Sequence, residues 1–186
     1  GMKPEDMAAD SQAMAIGERL FMNYCAQCHG SDARGAKSFP NLADGDWLGG
    51  SDHAYIKTTI GQGRTGVMPP MAAAVGGPED VRNVAHYVLS LSGSPNDSVR
   101  ASQGKAKFAA CAACHGPEGK GMQAVGAPNL TDGVWLHGWG EDAIVRAVNN
   151  GFTNQMPAQS AVLNDGQINV LGAYVLSLSS KSATKQ

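Results

Sequence analysis

Four cysteines fall into two matching groups, and a histidine follows each group directly. Two thiols three positions apart can both reach the vinyl groups on one edge of a porphyrin, and the next histidine then falls beneath the iron. This C-x-x-C-H spacing is the signature of covalent haem c attachment. It uses all four cysteines of the chain, so the sequence predicts two haem c cofactors and no disulfide. The residues are Cys25, Cys28 and His29, and Cys111, Cys114 and His115.

The two histidines are the predicted proximal iron ligands. A metal-bound imidazole normally donates its other ring N–H to a carbonyl or carboxylate, which fixes its tautomer and orientation. The carbonyls of Pro40 and Pro128 are the candidates, because each proline lies in a matching Pro-Asn-Leu segment downstream of its haem motif. The alternative is that both are plain loop prolines.

The predicted sixth ligands are two methionines that lie 88 residues apart, each followed by proline: Met68 and Met156. Met71 competes with Met68 because it flanks the same Pro-Pro turn. His/Met ligation raises a haem's reduction potential, and it leaves no open iron site for oxygen or peroxide. The sequence therefore predicts storage and transfer of single electrons. Three histidines without repeat partners are predicted to be surface or hydrogen-bonded residues: His53, His86 and His137.

Three further residues are candidates for the haem edge. Arg64 lies four positions before Met68 and either pairs with a haem propionate or is a solvated cation. Its counterpart at the 88-residue offset is Phe152, which carries no charge, so we expect the two haems to differ. Trp47 and Trp135 either donate an indole N–H to a propionate or pack a domain edge.

The elements that must position these residues also occur twice, with offsets of 86 to 88 residues. The sequence predicts an all-α fold, with residues 64–71 extended because two prolines exclude a helix there. The expected divisions are a leader at 1–13, a first domain at 14–93, a linker at 94–98, a second domain at 99–180 and a tail at 181–186. Predicted helices cover 13–24, 51–63, 78–92, 102–110, 140–151 and 164–179.

Charge and composition add weaker constraints. Residues 1–93 carry 7 basic and 10 acidic groups and residues 94–186 carry 7 and 6. This imbalance fits an ordinary solvated surface best, two faces with different partners next, and a nucleic-acid partner least. No apolar run approaches the roughly 18 residues of a membrane span. We therefore expect a soluble piece that begins with a vector remnant, with any anchor or export signal upstream. Because haem c is attached outside the cytoplasm, a bacterial periplasmic location is expected.

The combination of motifs resembles the dihaem subunit III (CcoP/FixP) of cbb3-type cytochrome c oxidases over about residues 5–180. Three departures are Phe152 in place of an expected arginine, His137-Gly138-Trp139 in place of Tyr-Gly-Gly, and a shorter spacing between Phe108 and Cys111. The segments that carry the likeness are 25–35, 39–42, 46–48, 63–70, 126–132 and 155–158.

This resemblance implies two tandem class I cytochrome c domains, each wrapped around a covalent haem. It implies a subunit that is not catalytic alone. The subunit would stand on the periplasmic face of the inner membrane and relay electrons from soluble cytochromes to the other oxidase subunits. Two alternatives stay open: a freely diffusing dihaem carrier resembling cytochrome c4, and a dihaem peroxidase, which needs an open or displaceable iron position.

Overall fold

A computed structural model describes residues 3–183, and side chains up to residue 179. The described chain is mostly helical and contains one two-stranded sheet, β1 paired with β2. None of its helices is both long and apolar enough to cross a bilayer. The elements are α1 Pro4–Ala9, α2 Ser11–Tyr24, α3 Ala26–His29, α4 His53–Gln62, β1 Arg64–Met68, α5 Ala72–Val75, α6 Pro78–Leu91, α7 Ser98–Lys107, α8 Ala112–His115, α9 Glu141–Asn150, β2 Phe152–Met156 and α10 Asp165–Ala183.

Helix starts follow from side chains that satisfy unpaired N–H groups in the first turn. Asp52 accepts the Tyr55 N–H at the start of α4. Asp10 and Asp97 each accept two N–H groups at the starts of α2 and α7. The predicted helices and the extended segment after residue 63 are confirmed within a few residues at their ends.

The predicted leader at 1–13 is wrong over its described part, because residues 4–9 form helix α1. Met7 of this helix is only 3% exposed. The Asn169 side-chain amide of α10 donates a hydrogen bond to its sulfur over 3.4 Å. The sequence could not show a helical period here, because this helix has only six residues and a single buried side chain.

The chain divides into two compact units that differ from the predicted sequential domains. The first unit joins the residues up to Thr65 with those from Gln155 onward, and the second unit is Gly66–Asn154. Helix α10 packs against α2 and α4, whereas α6 packs against α7 and α9. The last helix of each sequence half has therefore exchanged places with its counterpart. By sequence the first unit holds 8 basic and 9 acidic residues and the second 6 and 7, so the charge imbalance of the halves does not carry over.

In the first unit, a buried core joins the haem-motif helix to the end of the chain. Gly17 of α2 lets α10 approach closely, because a Cβ at this position would lie 2.5 Å from the Tyr174 Cβ. The rings of Phe21 and Tyr174 lie 5.8 Å apart. The buried members of this core are Leu20, Phe21, Ala33, Ile56, Ile60, Leu163, Ile168, Leu171 and Val175.

In the second unit, α6 and α7 form a helical hairpin. Gly104 of α7 lies so close to the Asn83 backbone carbonyl of α6 that no Cβ fits there. The predicted linker at 94–98 is a turn within this hairpin, where His86 Nδ1 accepts the Asp97 N–H over 3.0 Å. The predicted tail at 181–186 continues α10 to Ala183, and its last three residues lie outside the described part. The buried core members are Val75, Val81, Val84, Ala85, Val88, Leu89, Phe108, Cys111, Ile144 and Val148.

Candidate functional site

Each C-x-x-C-H group forms one turn of helix that follows its first cysteine. The His29 N–H donates to the Cys25 carbonyl over 2.9 Å, and His115 does the same with Cys111. One helical turn brings residues three positions apart onto one face, so each turn presents its two cysteines together. All four thiols are free.

Both histidines are buried and anchored by the predicted carbonyls. His29 and His115 are each 8% exposed. Their Nδ1 atoms lie 3.0 Å from the Pro40 carbonyl and 3.1 Å from the Pro128 carbonyl. A carbonyl only accepts, so Nδ1 carries the proton and Nε2 keeps a free lone pair. These two hydrogen bonds confirm the contacts predicted from the sequence.

The loops after the two histidines hold these carbonyls in place through matching backbone bonds. Gly35 donates its N–H to the His29 carbonyl over 2.7 Å, and Gly121 donates to His115 over 2.8 Å. Both glycines have a positive φ, 71° and 78°, which side-chain-bearing residues rarely adopt. The two loops therefore use the same backbone arrangement to place a proline carbonyl beside the imidazole.

Burial shifts the pKa of the first thiol of each motif and of one of the two imidazoles, in each case towards the neutral form. It raises the pKa of the Cys25 thiol to about 11, with a smaller contribution from Cys28. It raises the pKa of the Cys111 thiol in the same way, beside Cys114. Burial lowers the pKa of His115 and outweighs the opposing effect of its bond to Pro128. Neutral imidazole is the form that ligates a metal.

The two Met-Pro turns are exchanged between the sequence halves. After the Met156 turn, Gln159 donates its N–H to the Ile60 carbonyl of α4 over 2.9 Å. After the Met68 turn, Met71 donates to the Val148 carbonyl of α9 over 2.8 Å. Residues 71 and 159, like 60 and 148, differ by 88, so each turn makes the same contact with the middle helix of the other half.

The exchange changes which methionine shares a unit with which histidine. Met156 packs against the first core together with Cys25, whereas Met68 belongs to the second unit with His115. Met71 packs against the second core. Met68 and His29, which lie in the same half of the sequence, thus fall in different units, because the strands that carry the two methionines run from one unit into the other.

The haem-edge candidates make other contacts in the protein. Trp47 packs against the first core and Trp135 against the second, as in the packing alternative. The Arg64 guanidinium lies 4.2 Å from the centre of the Tyr55 ring. Its Nε–H donates to the Thr59 hydroxyl over 3.1 Å. Arg64 is nevertheless exposed, so these contacts are compatible with the solvated alternative and leave the propionate pairing a prediction.

Phe152 stacks on a residue that the sequence did not single out for this place. The rings of Phe152 and His137 are 4.0 Å apart with an interplanar angle of 22°. The Asn154 side-chain amide donates to His137 Nε2 over 2.9 Å. Tyr55 is the corresponding missed residue in the first unit. The sequence did contain a signal for both residues. At the 88-residue offset, Gly49 is matched by His137 and Tyr55 is matched by Ala143, so one ring is lost where the other is gained.

The remaining unmatched histidines are hydrogen-bonded, as predicted. His53 Nε2 donates to the Asn169 carbonyl over 3.0 Å. His86 accepts the Asp97 N–H at Nδ1, so its Nε2–H faces the Glu141 carboxylate at 3.2 Å. Both side chains serve helix packing.

The donor set of each unit fits a covalently bound haem. It offers two free thiols three residues apart and a buried imidazole whose Nδ1 is held, with Nε2 left to bind iron. Within the described part of the chain, no cluster of three or more His, Cys, Asp or Glu side chains is suited to a bare metal ion.

Comparison with known proteins agrees with this arrangement. The family model for cytochrome c oxidase, cbb3-type, subunit III matches residues 12–88 and again residues 100–175. The chain is 67% identical over 178 residues to the cbb3-type cytochrome c oxidase subunit CcoP of Rubrivivax gelatinosus, covering 96% of this chain and 59% of that protein. It is 43% identical over 178 residues to the FixP subunit of Azorhizobium caulinodans, covering 90% of this chain and 60% of that protein.

The chain therefore spans about three fifths of the length of these curated relatives. Cytochrome c families bind haem c, and the two family matches each contain one C-x-x-C-H motif. The resemblance inferred from the motifs is confirmed, and the chain belongs to the subunit III family of cbb3-type cytochrome c oxidases.

Proposed function

We propose that this chain carries electrons through two covalently bound haem c groups as a subunit of a cbb3-type oxidase. The observation that carries the proposal is the duplicated site, in which a buried histidine is held by a proline carbonyl beside two free thiols. The CcoP and FixP relatives are named as subunits of the oxidase. The other oxidase subunits are accordingly proposed partners.

Soluble cytochromes on the periplasmic face of the bacterial inner membrane are the proposed electron donors. The catalytic core of the oxidase is the proposed acceptor. In this assignment the chain relays electrons and is not itself the oxygen-reducing centre.

The axial ligand pairs follow the structural units. We assign His29 and Met156 to the first unit and His115 and Met68 to the second. Cys25 and Cys28, and Cys111 and Cys114, would hold the haems through thioether bonds. A haem c held by these histidines and methionines would supply a one-electron couple of raised potential. Pro40 and Pro128 each fix an imidazole tautomer, which raises the basicity of the iron-binding nitrogen.

The protein side of the mechanism is burial and fixed geometry. His29 and His115 are each buried against an apolar core, whereas Met68 and Met156 are half-buried. Burial is one of the levers on a haem potential. Arg64 places a permanent cation in the first unit, whereas Phe152 places none at the equivalent position. Trp47 and Trp135 are proposed to pack the haem edges within their cores.

Replacing the methionines tests both the ligation and the exchange. We expect Met156→His to lower the potential of the haem at Cys25 and Cys28, and Met68→His to lower that of the haem at Cys111 and Cys114, because a second imidazole replaces a thioether. Redox titration of the holoprotein resolves the two potentials. Variants with Cys111 and Cys114, or Cys25 and Cys28, changed to alanine assign each potential to its haem.

If Met68→His acts on the haem at Cys25 and Cys28, the exchanged pairing is wrong while electron transfer stands. If neither variant changes a potential, the ligand assignment fails. Ferric spectra with a five-coordinate haem would contradict the relay and favour the peroxidase alternative.

A further inference from the structure

The first residue of each strand is held by a stacked ring. Strand β1 begins at Arg64, whose guanidinium lies 4.2 Å over the Tyr55 ring. The Tyr55 ring is itself held in place, because its hydroxyl lies against Gly49 and a Cβ at Gly50 would lie 2.7 Å from the ring. Tyr55, Gly49 and Gly50 thus anchor Arg64, the start of β1, in the first unit.

The second unit anchors β2 in the same way with different residues. Strand β2 begins at Phe152, which stacks on His137 at 4.0 Å. His137 stands at the position of Gly49, and Ala143 at the position of Tyr55, when 88 residues are added. In the first unit the ring belongs to Tyr55 of helix α4. In the second unit it belongs to His137 in the loop before α9. Both rings contact the first residue of a strand.

Each anchored strand ends at a methionine that belongs to the other unit. Strand β1 starts in the first unit and ends at Met68 of the second, and β2 starts in the second unit and ends at Met156 of the first. Four residues of extended chain span about 13 Å. Each strand is continuous extended backbone from its first residue to its methionine, so we expect a shift at its start to reach the methionine.

We propose that Tyr55 and His137 are positioning residues that act across the units. Tyr55, through Arg64, fixes the strand that delivers Met68 to the haem of the second unit. His137, through Phe152, fixes the strand that delivers Met156 to the haem of the first. This inference rests on the ligand pairs assigned under the proposed function.

The test uses the weak red absorption band of oxidised methionine-ligated haem c in the holoprotein. In a Met156→His background, this band reports Met68 alone. Adding Tyr55→Leu removes the stacked ring, and the expected result is loss of the Met68 band together with a lower potential of the haem at Cys111 and Cys114. Tyr55→Phe keeps the ring and is expected to retain the band.

Lys57→Gln is the matched control. It lies on the same helix and removes an ion pair to Asp165 without touching the strand. If it removes the band as well, or if Tyr55→Leu leaves the band intact, the positioning role of Tyr55 is overturned. A folded holoprotein is verified by its haem content and circular dichroism.

The reciprocal experiment uses a Met68→His background, in which the band reports Met156. His137→Ala is expected to remove it and His137→Phe to preserve it, since phenylalanine keeps a ring over Phe152. If His137→Ala leaves the Met156 band intact, action across the units is contradicted. If the single Met68→His and Met156→His variants themselves leave the band unchanged, it is the ligand assignment that fails, and the two failures are distinguished.

Discussion

Both units hold the first residue of a strand against a ring, but the stacked pairs differ in charge. The first sets a cation on an aromatic ring, Arg64 over Tyr55, and the second sets an aromatic ring on an imidazole, Phe152 over His137. Both pairs stack at about the same separation and start a strand. The comparison teaches that the position of the strand's first residue is what the fold requires, while the charge placed there is free to differ. Only the first unit carries a permanent cation at this position.

The units also differ in how their chain segments meet. In the second unit, α6 and α7 are neighbours in sequence and pack through Gly104. In the first, α2 must find α10 near the other end of the chain, with Gly17 against Tyr174. Contacts between distant segments cost more closure entropy and form more slowly. We therefore expect the second unit to form first.

The largest effect on stability is expected from truncating a buried core side chain in one of the two units. Leu171 of α10 and Val84 of α6 occupy equivalent positions 87 residues apart, and both are completely buried. Leu171→Ala is expected to cost about 2–5 kcal/mol of unfolding free energy through the lost contacts and the cavity. The cost should fall on the first unit, which holds His29. Amide hydrogen exchange, measured peptide by peptide in denaturant, locates the loss.

Val84→Ala is the companion variant. It removes fewer methyl groups, so its cost is smaller, and it is expected in the second unit, around His115. If Leu171→Ala weakens the peptides around His115 and leaves those around His29 protected, the exchanged helix packing is wrong.

An intermediate effect is expected at the helix crossings. At Gly104 an added Cβ meets the rigid Asn83 backbone, whereas at Gly17 it meets the Tyr174 side chain at 2.5 Å. Overpacking of this kind typically costs about 1–3 kcal/mol. Gly104→Ala should therefore destabilise its unit more than Gly17→Ala destabilises the other. Equal midpoint shifts in the exchange-monitored transitions of the two units would contradict this order.

The smallest effect is expected at the cap of α7. Hydrogen bonds from the Arg100 and Val99 N–H groups lower the pKa of the Asp97 carboxyl, with further help from the charge of Arg100. A depressed folded pKa stabilises the protein above the unfolded value of about 3.9 and loses this effect as the pH falls through the folded value.

Asp97→Ala should accordingly lower the melting temperature slightly at neutral pH, and the difference from the parent protein should shrink towards about pH 3. Melting curves of both proteins across this range measure it. Asp10, the equivalent cap of α2, provides the comparison in the first unit. A difference that grows on acidification would contradict the capping role.

Local features of both sites could be predicted from the sequence because they depend on a few neighbouring residues. The C-x-x-C-H turns, the helix caps and the proline carbonyls behind His29 and His115 belong to this class. Helix α1 could not be predicted, since it is held by burial of Met7 against the distant Asn169. The stacks on Tyr55 and His137 require contacts that spacing alone does not reveal.

The sequence by itself determined the duplicated C-x-x-C-H motif, the candidate His and Met donors and the family. Only the tertiary structure decided which half completes which unit. The final helices of the halves carry the same six-residue segment, Tyr87-Val88-Leu89-Ser90-Leu91-Ser92 and Tyr174-Val175-Leu176-Ser177-Leu178-Ser179. Local pattern therefore cannot choose between the two pairings. Packing over the whole chain chooses, and it places each methionine in the unit that holds the other half's histidine.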